Sequence, residues 1–246
     1  PGVTQNAIDG VSLSIPHQQS VAIVGENGAG KSTLVRLITG MYQPLEGRVL
    51  IGDVDTRDAS AESSYEGLSA VFQNYQRYAM TLADNVSISE PVARSDGDNE
   101  SRTLSAFTRA GLAATADSFP EGASTMLSRE FGGTDLSGGQ WQRVAIARGL
   151  YRSHDMIILD EPTAAIDPLE ETALYKRFVE VAIGRTAIIV THRLGSARIA
   201  DRILVMDGGR LVEDGTHEQL MTQQGTYATM FESQAKWYDG QKPQWS

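Results

Sequence analysis

Continuously apolar runs punctuate the chain and predict buried strands. Ser20–Gly25 (SVAIVG) and Met156–Glu161 (MIILDE) stay apolar up to their polar ends, as strands covered on both faces do. Thr186–His192 (TAIIVTH) follows the same design, and Ala70–Phe72 is a shorter apolar run. Arg202–Gly215 instead reads as a hairpin turning at Asp207-Gly208-Gly209. Ala7–Pro16 (AIDGVSLSIP) alternates apolar and polar residues and predicts a half-exposed strand.

Helical patterns fall between these runs. Ser32–Thr39 ends at Gly40, a C-terminal cap. Ser101–Ala116 is rich in helix formers, and Ser137–Tyr151 carries apolar Val144, Ile146, Ala147 and Leu150. Leu169–Ile183 follows Asp167-Pro168, a good helix start. Strand–helix alternation predicts an α/β fold with a mainly parallel sheet. Residues 82–151 lack strong strand runs and read as mainly helical, with Ala93–Arg102 an exposed loop and helix start. After Ser233 the sequence is expected to be a loosely docked tail.

Composition narrows the classes. At 246 residues with 41% hydrophobic content the chain can bury a real core. A net charge of −10 opposes a nucleic-acid partner and adsorption to anionic lipid. The absence of cysteine removes disulfides, thiolate metal sites and a cysteine nucleophile. No apolar run approaches the roughly 20 residues that span a bilayer, so no direct membrane insertion is expected. The N-terminus has no signal-peptide pattern and no initiator Met, which predicts a piece of a longer polypeptide.

The chemistry starts at Gly25–Ser32 (GENGAGKS), which matches G-x-x-x-x-G-K-[ST] between an apolar strand and a helix. Backbone N–H groups over Gly28–Ser32, with the helix N-terminus, can surround a β-phosphate. The candidate nucleotide-binding residues are Asn27, Gly28, Ala29, Gly30, Lys31, Ser32 and Thr33. Lys31 is the candidate bridge between β- and γ-phosphates, and Ser32 a ligand for Mg²⁺.

Asp160 and Glu161 end an apolar strand, an arrangement that alone is as often structural as functional. Beside a phosphate loop, Asp160 is expected to hold Mg²⁺ and Glu161 to orient and deprotonate attacking water. Gln73 is a candidate ligand for Mg²⁺ or the water, although a lone glutamine is usually a surface residue. His192 is a candidate donor to the γ-phosphate, against the commoner role of a strand-end histidine as a structural hydrogen-bonder. In a parallel sheet these motifs share one carboxyl edge, where open α/β folds bind ligands. His17, His154 and His217 have no such placement and are expected at the surface.

A second serine–glycine motif, Leu136–Gln140 (LSGGQ), is surplus to one nucleotide. With GENGAGKS, Phe72–Gln73, MIILDEPT, AAID and VTHR in this order, the chain resembles the nucleotide-binding domain of an ABC transporter from about Ala7 to Ser233. The resemblance implies a P-loop NTPase core with an N-terminal antiparallel β-subdomain and an inserted α-helical subdomain carrying the signature. In this chain the core and β-subdomain would be residues 1–81 and 152–233, the helical subdomain 82–151 and the tail 234–246. It also implies a second ABC ATP-binding domain, paired head to tail around two Mg·ATP as a homo- or heterodimer. Ser137, Gly138, Gly139 and Gln140 of one cassette would then grip the nucleotide on its partner, with Asp167 across the same interface.

Thr81–Ile88 (TLADNVSI) and the stretch Thr191–Leu220 are similar to those of bacterial exporter cassettes. That similarity implies a transmembrane domain, N-terminal in the same polypeptide, and a place on the cytoplasmic side of the plasma (inner) membrane. A cytoplasmic coupling helix would be received around Gln73–Asn85. The stretch Ser128–Gly139 (SREFGGTDLSGG) departs from the T-E-V-G-E-R-G wording of many exporters. YQRYAMTLADNV, LSGGQWQRVAIARGLYR and FESQAKWY resemble exporters of peptides such as lantibiotics. The first aromatic is Tyr42, so the adenine-stacking residue of the family is expected just before Pro1. The alternatives are an importer ATPase subunit or a soluble ABC ATPase of DNA or translation maintenance. Gln73 and Leu136 lie too close in sequence to hold the long coiled coil common in the soluble class.

Overall fold

A computed structural model describes residues 6–59, 67–90, 96–112, 118–161 and 168–238. In chain order its strands are β1 (Ser20–Gly25), β2 (Leu50–Ile51), β3 (Val54–Asp55), β4 (Leu68–Val71), β5 (Met156–Asp160), β6 (Thr186–Val190), β7 (Arg202–Asp207) and β8 (Arg210–Gly215). The helices are α1 (Lys31–Ile38), α2 (Leu82–Ser87), α3 (Asp96–Arg109), α4 (Gly138–Tyr151), α5 (Pro168–Val181), α6 (Leu194–Ala197), α7 (His217–Gln223) and α8 (Thr226–Tyr238). The chain forms two compact units, Pro1–Glu66 with Gly184–Ser246, and Gly67–Ile183.

In the first unit β1 is buried along its whole length and pairs in parallel with β6 on one side and β7 on the other. The apolar run Val21–Val24, three of its four residues β-branched, suits a strand covered on both faces. Ser20 pins its start: its N–H and hydroxyl both donate to the Asp201 carboxylate, at 2.9 and 2.6 Å. β7 turns through Gly208-Gly209, with φ of 51° and 81°, into antiparallel β8. Ala22, Val24, Ile203 and Val205 pack with Leu194, Leu220 and Tyr227, so α6, α7 and α8 cover one face of this sheet. The antiparallel hairpin β2–β3 forms a separate small sheet.

The second unit holds the parallel pair β4–β5, whose register sets Val71 against Leu159. Helix α4 lies against β4 at Gly149, where a Cβ would come within 2.6 Å of Val71 Cγ2. The Ser69 hydroxyl donates to the Gly149 carbonyl at 2.7 Å across that contact.

Several expectations change. Ala7–Pro16 is no strand: Val11, Leu13 and Ile15 are less exposed than Ser12 and Ser14, but no described strand pairs with it. Alternating burial needs only one apolar surface, whereas a strand also needs a ladder. Helix α3 starts at Asp96 and ends at Arg109, because Gly111 adopts φ 66° and closes it. Helix α8 continues past Ser233 to Tyr238, and Gln234 accepts from the Leu194 N–H at 2.9 Å. His154 is buried rather than at the surface, with Nδ1 2.6 Å from the Arg152 carbonyl. His217 is half-buried, with Nδ1 2.9 Å from the Tyr227 hydroxyl, whereas His17 is exposed.

Candidate functional site

The loop between β1 and α1 is shaped by glycines at positive φ. Gly25 (φ 150°) passes the Met206 carbonyl so closely that a Cβ would lie 2.2 Å from it. Gly30 (φ 98°) does the same against the Ala7 carbonyl, at 2.5 Å. Gly28 (φ 86°) faces open space, and Glu26, Asn27 and Gly28 are exposed while Ala29 is buried. The loop is anchored by the Gly209 N–H on the Ala29 carbonyl at 3.1 Å. Lys31, only 6% exposed, folds back so that Nζ donates to the carbonyls of Gly25 at 2.9 Å and Glu26 at 3.1 Å. Ser32 and Thr33 follow in the first turn of α1, both half-buried.

Next to β1, strand β6 delivers His192. Ile23 sits beside Val190, and the Thr191 N–H donates to the Ile23 carbonyl at 3.2 Å. Asn27–Thr33 and His192 therefore leave the carboxyl ends of neighbouring parallel strands. The His192 side chain is exposed, and its carbonyl accepts from Gln234 Nε2.

The second unit repeats the device. Gln73 follows β4, and Asp160 and Glu161 end β5, again at neighbouring parallel carboxyl ends. Asp160 is 4% exposed, whereas Gln73 is exposed. Glu161 has φ 45°, a left-handed conformation uncommon outside glycine, asparagine and aspartate. Such strain persists where surrounding structure enforces it and concentrates at working sites.

Ser137 is the N-cap of α4. Its hydroxyl accepts the Gln140 N–H at 3.3 Å, and the Gln140 side chain accepts the Ser137 N–H at 2.9 Å, a capping box. Gln140 Nε2 also donates to the Ser118 hydroxyl at 3.0 Å. Ser137 is exposed, and Gly138 and Gly139 occupy the helix's first turn, where N–H groups have no intrahelical acceptor. The remaining candidate, Asp167, lies outside the described residues.

Three contributors lie outside the candidate site residues. The Tyr75 hydroxyl donates to the Gly138 carbonyl at 3.1 Å. Arg148, on the same helix, donates to the carbonyls of Asn85 (2.7 Å) and Gln76 (3.1 Å) and lies over the Tyr78 ring. Burial pulls its guanidinium below the usual arginine value. Asn85 is fully buried and bonds to three carbonyls of the preceding turn. Asn85 had a signal, the T-x-x-x-N stretch, but Tyr75 had none.

A phosphate-shaped loop, a strand ending in Asp160–Glu161 and a serine-capped glycine helix together define the class: an ATP-binding domain of ABC type. The family model for ABC transporters matches residues 8–164, and the chain belongs to that family. The chain is 34% identical over 235 residues to the subtilin transport ATP-binding protein SpaT of Bacillus subtilis, covering 95% of this chain. It is 38% identical over 227 residues, 92% of its length, to the mycobactin import ATP-binding/permease protein IrtB of Mycolicibacterium thermoresistibile. The chain spans 38% of the length of each of these relatives. A solved structure of a bacterial Atm1-family ABC exporter with ATP bound matches 93% of the chain at a TM-score of 0.82 and 35% identity, over 39% of that exporter chain.

Proposed function

We propose that this domain hydrolyses ATP as a head-to-tail dimer of cassettes and powers export through an associated membrane domain. The observation that carries the reading is the glycine loop over buried Lys31, a cradle closed by backbone at Gly25 and Gly30 and open at Gly28. Those residues fit a triphosphate: N–H groups at a helix start, positive φ where the backbone must approach a ligand, and an ammonium at its base. Lys31 would exchange the Gly25 and Glu26 carbonyls for β- and γ-phosphate oxygens.

Ser32, Gln73 and Asp160 offer hydroxyl, amide and carboxylate oxygens, the hard donors that suit Mg²⁺. When bound, the ion would neutralise charge on the phosphates. Among the described residues no group of three His, Cys, Asp or Glu side chains forms a metal cluster. Glu161 would orient the attacking water and take its proton, and His192 would donate to the γ-phosphate.

The signature completes the partner's site. Ser137 accepts from Gln140, which leaves its own hydroxyl proton to donate to a phosphate oxygen. Gly138 and Gly139 would add N–H groups of the first turn, and Asp167, outside the described residues, would meet the same interface. The membrane domain would precede the cassette in the same polypeptide and place it on the cytoplasmic side of the inner membrane. No helix among the described residues is long and apolar enough to cross a membrane. Exposed Met80 supports the Gln73–Asn85 region as the surface that receives the membrane domain. Import is a second reading, favoured by the relative named for mycobactin import. The test of the catalytic assignment is Glu161→Gln: ATP binding stays and turnover falls at least tenfold, about 1.4 kcal/mol of barrier.

A further inference from the structure

We infer that Tyr75 is a positioning residue for the signature, setting the aim of the Gly139 N–H at the partner's nucleotide; this rests on the composite site proposed above. The geometry lies within one peptide unit. The Tyr75 hydroxyl donates to the Gly138 carbonyl at 3.1 Å. That carbonyl and the Gly139 N–H belong to the same planar trans peptide and point in opposite directions. Fixing the carbonyl from behind fixes the donor in front. Both residues of the unit are glycines, which resist rotation less than any other pair. An external clamp therefore matters more here than it would at a β-branched turn. The same bond polarises the peptide and strengthens its N–H as a donor.

The clamp is itself fastened. Tyr75 is half-buried, and its neighbours hold the same segment along α4. The Arg77 guanidinium lies 5.9 Å from the Trp141 ring centroid, and the Trp141 indole N–H donates to Asp135 just before the signature. Further along the helix, Arg148 donates to the Gln76 carbonyl at 3.1 Å and sits 4.8 Å from the Tyr78 ring centroid. Residues 75–78 are thus laid against α4, with the tyrosine at its N-terminal end. Tyr75 stands two positions after Gln73. A shift of the Gln73 segment therefore reaches the Gly138 carbonyl through the Tyr75 phenol.

The test compares Tyr75→Phe, Ser137→Ala and the double variant for ATP turnover, ATP affinity and melting temperature. Tyr75→Phe keeps the ring and removes only the hydroxyl. It is expected to lower kcat about fivefold, the worth of one hydrogen bond. ATP affinity should stay within about twofold, and the melting temperature should fall by no more than about 4 °C, the stability worth of that one bond. The double variant should lose less than the product of the single losses, because both changes weaken the same phosphate contact. Unchanged turnover in Tyr75→Phe beside a drop in Ser137→Ala would overturn the inference and leave the signature reading standing. Unchanged turnover in both variants would sink the signature reading itself. A fall in ATP affinity beyond about twofold, or in melting temperature beyond about 4 °C, with Tyr75→Phe would overturn the positioning role in favour of a structural one.

Discussion

Asn85 offers a severe test of how the second unit is held together. It is 0% exposed, and its amide nitrogen donates to the carbonyls of Tyr78 (3.0 Å), Met80 (3.2 Å) and Thr81 (3.1 Å). Two protons serve three acceptors, so one is shared. Its side-chain oxygen accepts from Arg148 Nη2 at 3.2 Å. Asn85→Ala removes two donors and one acceptor from a dry site. At about 1 kcal/mol per bond, the loss is about 3 kcal/mol. For a chain of this size that lowers the melting temperature by roughly 6–12 °C.

Asn85→Asp refines the test through pH. The aspartate keeps the acceptor for Arg148 but turns the donor into an oxygen facing three carbonyls. The Arg148 guanidinium on its other oxygen favours the charged form, but full burial and three facing carbonyls oppose it more strongly, and the folded pKa is expected above the unfolded value. Its stability is therefore fully present below the unfolded pKa and lost as pH rises through the folded one. Unfolding followed by circular dichroism at pH 5 and pH 7 should show the deficit against the parent chain growing with pH. An Asn85→Ala loss below about 1 kcal/mol, or an Asn85→Asp deficit that shrinks as pH rises, would refute the assigned bonds.

Two further outcomes follow from the first unit. Gly30→Ala places a Cβ 2.5 Å from the Ala7 carbonyl at φ 98°, and should weaken ATP binding at least tenfold by equilibrium titration. Binding retained within twofold would show that the loop does not need this conformation. Burial pushes the Tyr227 hydroxyl from its ordinary 10.0 up to about 12, so Tyr227→Phe should remove phenolate absorbance that appears near pH 12 in an alkaline titration. Its stabilising contribution is whole below pH 10.0 and lost as pH rises towards 12; Tyr227→Phe should abolish that alkaline loss, followed by unfolding at several pH values.

The core strands were legible because β1, β5 and β6 are buried on both faces, and continuous apolar runs admit few other readings. The β7–β8 hairpin was legible from its Asp-Gly-Gly turn. Ala7–Pro16 misled because exposure alternates there without a ladder. His154 misled because nothing local marks a histidine for burial against the Arg152 carbonyl. The candidate site was legible as motifs, since phosphate chemistry demands particular residues at fixed spacing. What the motifs omit is their support. Tyr75 and Arg148 act on backbone carbonyls far away in sequence, and a bond to a carbonyl leaves no residue-type signal at the accepting position.

The composite site is tested most directly by the oligomeric state of the Glu161→Gln variant with and without Mg·ATP. Sedimentation should give a monomer without nucleotide and a stable dimer with it, while the parent chain should dimerise only transiently, because hydrolysis would separate the pair. Ser137→Ala added to Glu161→Gln should weaken that dimer and leave nucleotide on the monomer. A Glu161→Gln variant that binds ATP and stays monomeric at every nucleotide concentration would contradict the account.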